Sequence, residues 1–147
     1  MADLVGTTKA TVQTSFDTYM TELKQAAPHW DRKPANDADG EEAWSARQVA
    51  EHIADASPFY AAAVAKAVGI TPSQLGHHTF PTASDSIAAT EAAHRVLMDV
   101  IDQLSESQLA TETENRVMGK TTVNGIVLAC SSHVRDHTKQ LQALREG

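Results

Sequence analysis

Cysteine is nearly absent: Cys130 is the single one in 147 residues, so no internal disulfide can form and a reducing compartment is expected. Long apolar runs are also missing, so no membrane partner or membrane-spanning helix is expected. There is no cluster of basic residues, and 12 Lys and Arg against 19 Asp and Glu leave a net charge of −7. That balance speaks against a nucleic-acid backbone as the main partner. The opening stretch, MADLVGTTKATV, has no basic segment followed by an apolar one, so no secretory signal is expected. With 7 glycines and 5 prolines, the chain offers few breakers of regular structure. The expectation is a soluble cytoplasmic protein whose residues 1–147 form one domain.

What the chain has in quantity is alanine (AAAVAKAV at 61–68, IAATEAAH at 87–94), which favours helix over sheet. Four long helices can be read from the apolar spacing. The first covers about 3–26, with Val5, Val12, Phe16, Tyr19 and Leu23 on one face and Pro28 just beyond its end. A polar connection, 28–42, follows. The second helix opens at Ser45 with Gln48 three residues on, the pairing of a capping box, and Trp44 stands ready to anchor against Val49. It runs to about Val68 and stops at Gly69, with Val49, Ile53, Ala56, Phe59 or Tyr60, Ala63 and Ala67 as its inward stripe. Pro58 is expected to kink or interrupt it.

Residues 69–83 read as loop, and the third helix is expected from a Ser84 cap to about Leu104. Its rows Ile87, His94, Ile101 and Thr90, Leu97, Leu104 repeat every seven residues, a bundle pattern. The polar stretch 105–120 reads as loop, with a short extended piece around Arg116–Met118. The fourth helix starts near Thr121 or Thr122 and ends near Arg145. Four amphipathic helices of this length predict an all-α four-helix bundle, and the connection 28–44 is long enough to cross it.

Histidine is the informative residue, with 7 copies. HVRDH (133–137) places His133 and His137 four apart, one above the other on a helix, where both ring nitrogens can reach one divalent ion. Such a pair arises readily by chance; its weight comes from interrupting the apolar stripe between Cys130 and Leu141. His52 interrupts the second helix's stripe in the same way. Three inward imidazoles could form a three-nitrogen metal site or could be three core histidines bonded to nearby acceptors. A three-histidine site would leave the ion's full charge and an open position, the arrangement of a catalytic centre. Zinc, nickel, iron and copper all suit it.

Asp55, one turn past His52, and Asp136, between the paired histidines, are the candidates for an acid–base or orienting carboxylate. His94 and Cys130 read as core residues with a ligand role open to either, while His29, His77 and His78 read as surface or pocket-rim residues. HVRDH lacks the glutamate of H-E-x-x-H, and EAAH (91–94) occurs once where a di-iron bundle needs two such motifs.

WSARQVAEHIADA (44–56) and GKTTVNGIVLACSSHVRDHTKQLQALRE (119–146) resemble the second and fourth helices of the DinB-like (damage-inducible) four-helix-bundle superfamily. The resemblance implies an antiparallel bundle with an unusual crossover, often a homodimer. It also implies a metal triad at His52, His133 and His137, with zinc or nickel the expected ion. Similar members include isomerases and transferases that use a low-molecular-weight thiol, mycothiol or bacillithiol, on a small-molecule electrophile. Such a metal-dependent thiol transferase, or a related hydrolase, is the first functional expectation. A non-catalytic dimeric protein binding a small ligand or metal is the second, and a metal-free helical interaction module the third. An anionic thiol would call for Arg or Lys at the pocket, with Arg47, Arg95, Arg116 and Arg135 as the residues to place.

Overall fold

The computed structural model describes residues 3–34, 39–71 and 76–147. Its long helices are α1 (Leu4–Lys24), α2 (Ala46–Val68), α3 (Ala83–Asp102) and α5 (Val123–Glu146). A single-turn helix α4 (Glu106–Leu109) and a hairpin of β1 (Glu112–Asn115) and β2 (Gly119–Thr122) lie between α3 and α5. The all-α bundle is therefore present, with one small two-stranded addition.

Local chemistry explains the boundaries. Ser45 and Gln48 cap α2 reciprocally, and Gly69 ends it in the left-handed region at φ 75°, where an L side chain would be strained. Helix α3 begins two residues earlier than the Ser84 cap predicts, because Thr82 and Asp85 form the capping box instead. Pro58 does not interrupt α2, which is helical on both sides of it. The 105–120 stretch is more ordered than its polarity suggests. Ser105 and Gln108 cap α4, and Asn115 Oδ1 accepts from the backbone N–H groups of Val117 and Met118 at 3.0 and 2.7 Å. Arg116–Met118 is thus the turn of the hairpin, with Glu112 opposite Thr122 and Asn115 opposite Gly119.

Helix directions follow from which residues meet. Thr8 bonds Asn124, Ser15 meets Ser131 at 2.6 Å, and Glu22 pairs with Arg145, so α1 and α5 run parallel. Lys9 pairs with Asp102 while Phe16 stacks on His94, so α1 and α3 run antiparallel. Near the start of α2, Ala46, Val49, Ala50 and Ile53 share a core cluster with Ala83, and Ile87 and Ala89 pack against it. Ala61, Val64 and Ala65 pack instead with Val96–Ile101 and Leu104, so α2 and α3 are parallel. His52 and Trp44 face His133 and His137, which makes α2 and α5 antiparallel. Around the bundle the order is α1, α3, α2, α5, and two of its four neighbouring pairs are parallel. The two parallel pairs are what the expected crossover introduces into an otherwise antiparallel bundle.

Parallel neighbours joined in sequence need a connection that runs the length of the bundle. The chain between α2 and α3, read simply as loop from sequence, makes this return, and its described residues 76–80 lie back along α2. The 28–44 connection instead joins helix ends at the same pole, on opposite corners of the bundle. The returning chain is pinned to α2 by two carboxylates one turn apart. Asp55 accepts from the backbone N–H of His78 at 2.9 Å, and Glu51 accepts from that of Phe80 at 2.7 Å. Four helical residues rise about 6.0 Å and two stretched-out residues about 6.6 Å, so the two spacings match. Trp30 adds a third tie, its indole N–H donating to the Phe80 carbonyl at 2.9 Å in the core.

The inward stripe of α2 departs from expectation in its second half. Ser57, Ala61, Val64 and Ala65 are buried, whereas Phe59 is 47% exposed and Tyr60, Ala63 and Ala67 are half-buried. Nearly every residue of 61–68 is alanine or valine, so apolar spacing there marks no unique face.

Candidate metal centre

The second turn of α2 carries His52, and the antiparallel α5 presents His133 and His137 opposite it. The Nε2 atoms of His52 and His133 lie 3.0 Å apart, and those of His137 and His133 lie 3.1 Å apart. The rings meet edge to face, with centroids 4.6–5.1 Å apart. Trp44 covers one side, its ring 5.0 Å from His52 and nearly parallel to His137 at 6.1 Å. The ring of Tyr60 closes another side, 5.8 Å from that of His133. Trp44, packed against the core cluster that holds Val49, thus also lies against two imidazoles.

The protons of the three rings are constrained by their neighbours. Gln140 donates its amide N–H to the Glu41 carbonyl at 2.6 Å, which turns its Oε1 toward His137. That oxygen accepts from His137 Nδ1–H at 2.7 Å. The Nε2 of His137 is then a bare lone pair aimed at His133. A proton on His133 Nε2 could serve His137 or His52, but a single linear bond cannot serve both. The three nitrogens therefore lack the protons to satisfy one another, and a cation among them would satisfy all three. Nitrogens bound to one ion at about 2.0–2.1 Å sit about 2.9–3.4 Å apart for angles between octahedral and tetrahedral, which brackets the observed contacts. The donor set fits a divalent transition metal.

Electrostatics point the same way. Burial, then the two neighbouring imidazoles, lowers the pKa of His133 to about 4. Burial and then His137 lower that of His52. Both rings are neutral at pH 7, the form that ligates.

The other predicted residues are distributed as follows. Asp136 is exposed at the rim of a groove whose floor includes His133 and His137. Asp55 is engaged with the returning segment: it accepts from the Nδ1 atoms of His78 at 2.8 Å and His77 at 2.9 Å, besides the His78 backbone. Cys130 is buried and its thiol is pushed up to about 12 by that burial, so it stays protonated. His94 lies flat on Phe16 at 3.6 Å, away from the triad. His77 is exposed and His78 half-buried, but His29, read as a surface or rim residue, is buried. Its burial, and then Arg32 and Arg145, lower its pKa. Among the described residues, the ligating atoms that gather within 4.8 Å belong to His52, His133 and His137.

Three contributors escape the spacing argument. Gln140 fixes the tautomer of His137, Trp44 roofs the triad, and Glu51 holds the chain segment behind it. Gln140 lies three residues after His137 on the same helix face, a spacing that could have nominated it.

The sequence pattern of the DinB superfamily matches residues 10–141. The chain belongs to the DinB superfamily. No curated protein is similar enough to match it. The match runs from within α1 to within α5 and includes His52, His133 and His137, so family pattern and side-chain convergence fall on one part of this DinB bundle. No helix among the described residues is long and apolar enough to cross a membrane.

Proposed function

We propose that His52, His133 and His137 hold one divalent transition metal, zinc or nickel, and that the protein is a metal-dependent enzyme acting on a small molecule. The observation that carries this reading is the convergence of three Nε2 atoms with too few protons between them. A divalent ion there would acidify a thiol or water at its open position and polarise an electrophile. The chain's own contribution is to hold three converging imidazoles, fix the tautomer of His137 through Gln140, and exclude water from one side with Trp44. The reaction class we favour is thiol-dependent transfer or isomerisation, with hydrolysis as its close relative, since both need an acidified nucleophile beside three neutral ligands. Asp136, at the rim beside both α5 histidines, is the carboxylate placed to exchange a proton with an incoming ligand. We place the protein in the cytoplasm, as a homodimer.

Elemental analysis of untagged protein, beside its His52→Ala variant, tests the reading. About one equivalent of zinc or nickel in the wild type and none in the variant is the expected result. Absence of metal from both, after incubation with each ion, would leave three core histidines and a binding or structural role.

A further inference from the structure

The triad's groove has a charge, and that charge bears on which ligand it takes. The groove, about 480 Å³, is lined among the described residues by Glu41, Glu42 and Asp136 against one cation, Lys139. Arg32 and Lys33 line an adjoining cavity that shares Glu42 and Gln140 with it, and four other arginines lie on other faces. Arg47 pairs with Glu51 on the face of α2 that holds Phe80. Arg95 lines the groove between α1 and α3, Arg135 that between α1 and α5, and Arg116 sits in the turn of the hairpin. Trp44 and Tyr60, each half-buried, pack against the rings of His52 and His133.

From this we infer that the ligand at the triad is uncharged or cationic away from its ligating atom, and that anionic thiols bind more weakly than neutral or cationic ones. The inference rests on the metal reading above. An exposed carboxylate about 7 Å from a ligand charge, in a dielectric near that of water, changes affinity about threefold, in opposite senses for cations and anions. The ratio between a cationic and an anionic ligand therefore moves about tenfold for each carboxylate, and salt weakens the effect.

Three small thiols serve as probes: cysteamine (cationic), 2-mercaptoethanol (neutral) and 3-mercaptopropionate (anionic). Each is titrated into cobalt-loaded protein at low ionic strength, following the thiolate-to-cobalt absorption band. Wild type is compared with Glu42→Gln, Asp136→Asn and the double variant, after confirming equal cobalt content by elemental analysis. Comparing ratios between proteins cancels the intrinsic thiol acidities. The expected result is a cysteamine-to-mercaptopropionate affinity ratio that falls about tenfold in each single variant and further in the double. A ratio unchanged by either substitution, or wild type binding mercaptopropionate as well as the double variant does, overturns the charge selection while leaving the metal site standing. Failure of the wild type to take up cobalt overturns the metal reading, and this inference with it.

Discussion

The triad and His94 are two places in this bundle where imidazole is buried, and they behave differently. At the α2–α5 interface three rings converge through Nε2 atoms 3.0 and 3.1 Å apart. Between α1 and α3, His94 is also buried and also sits on a seven-residue apolar row, yet its ring lies flat on Phe16 at 3.6 Å. Its Nε2 lies 3.4 Å from Gln13 Oε1. Burial holds both His94 and His133 at a pKa of about 4, so neutrality does not distinguish them. What does is the number of lone pairs aimed at one point. A stacked imidazole is a flat apolar plate with a satisfied edge, whereas three edge-on imidazoles with one tautomer fixed are a ligand set in want of a cation.

The comparison can be broken most forcefully by exchanging the roles of the two places. His133→Ala should abolish metal uptake, and His94→Leu should leave stoichiometry and affinity as in wild type; elemental analysis and competitive chelator titration read both. Metal loss in the His94 variant with its fold intact would mean that the distinction by convergence is mistaken. A smaller effect is expected one step out from the ligands. Gln140→Leu removes the acceptor for His137 Nδ1–H, and loss of such an orienting partner typically costs about 10–100-fold in metal affinity. Isothermal titration with zinc would show it, and an unchanged Kd would remove Gln140 from the site.

A third effect concerns protons. His133 and His94 have folded-state pKa values near 4, below the ordinary 6.5, so the unfolded chain binds more protons between those limits. Metal-free protein should accordingly lose stability as pH falls from about 6.5 towards 4, and flatten below that. His94→Leu should remove only its own share of that slope, and bound metal should oppose protonation only at the triad. Urea melts across that pH range, with and without zinc, would separate the two places; parallel curves would show that neither ring is held neutral by the fold.

Much of the architecture was legible because it rests on local rules. Capping at Ser45 and Gln48, termination at Gly69 and the seven-residue rows of α3 are statements about neighbours in sequence, and the structure contains them. The hairpin was not legible, since its strands are short and polar and its turn depends on Asn115 reaching two backbone N–H groups. The return of the chain between α2 and α3 was not legible for a related reason. Nothing in the composition of 76–80 says that it lies along α2; that follows from Glu51 and Asp55 presenting acceptors at a spacing the returning chain can meet.

The sequence by itself determined the helices, the all-α class and the three inward histidines, because apolar periodicity and i, i+4 spacing are properties of one helix at a time. Tertiary structure alone decided that His52 meets the pair on α5, that Gln140 sets a tautomer, and that Arg47, Arg95, Arg116 and Arg135 all stand away from the triad. The direction and rotation of each helix against its neighbours are set by long-range packing and by a few buried hydrogen bonds, which no single stretch of the chain encodes.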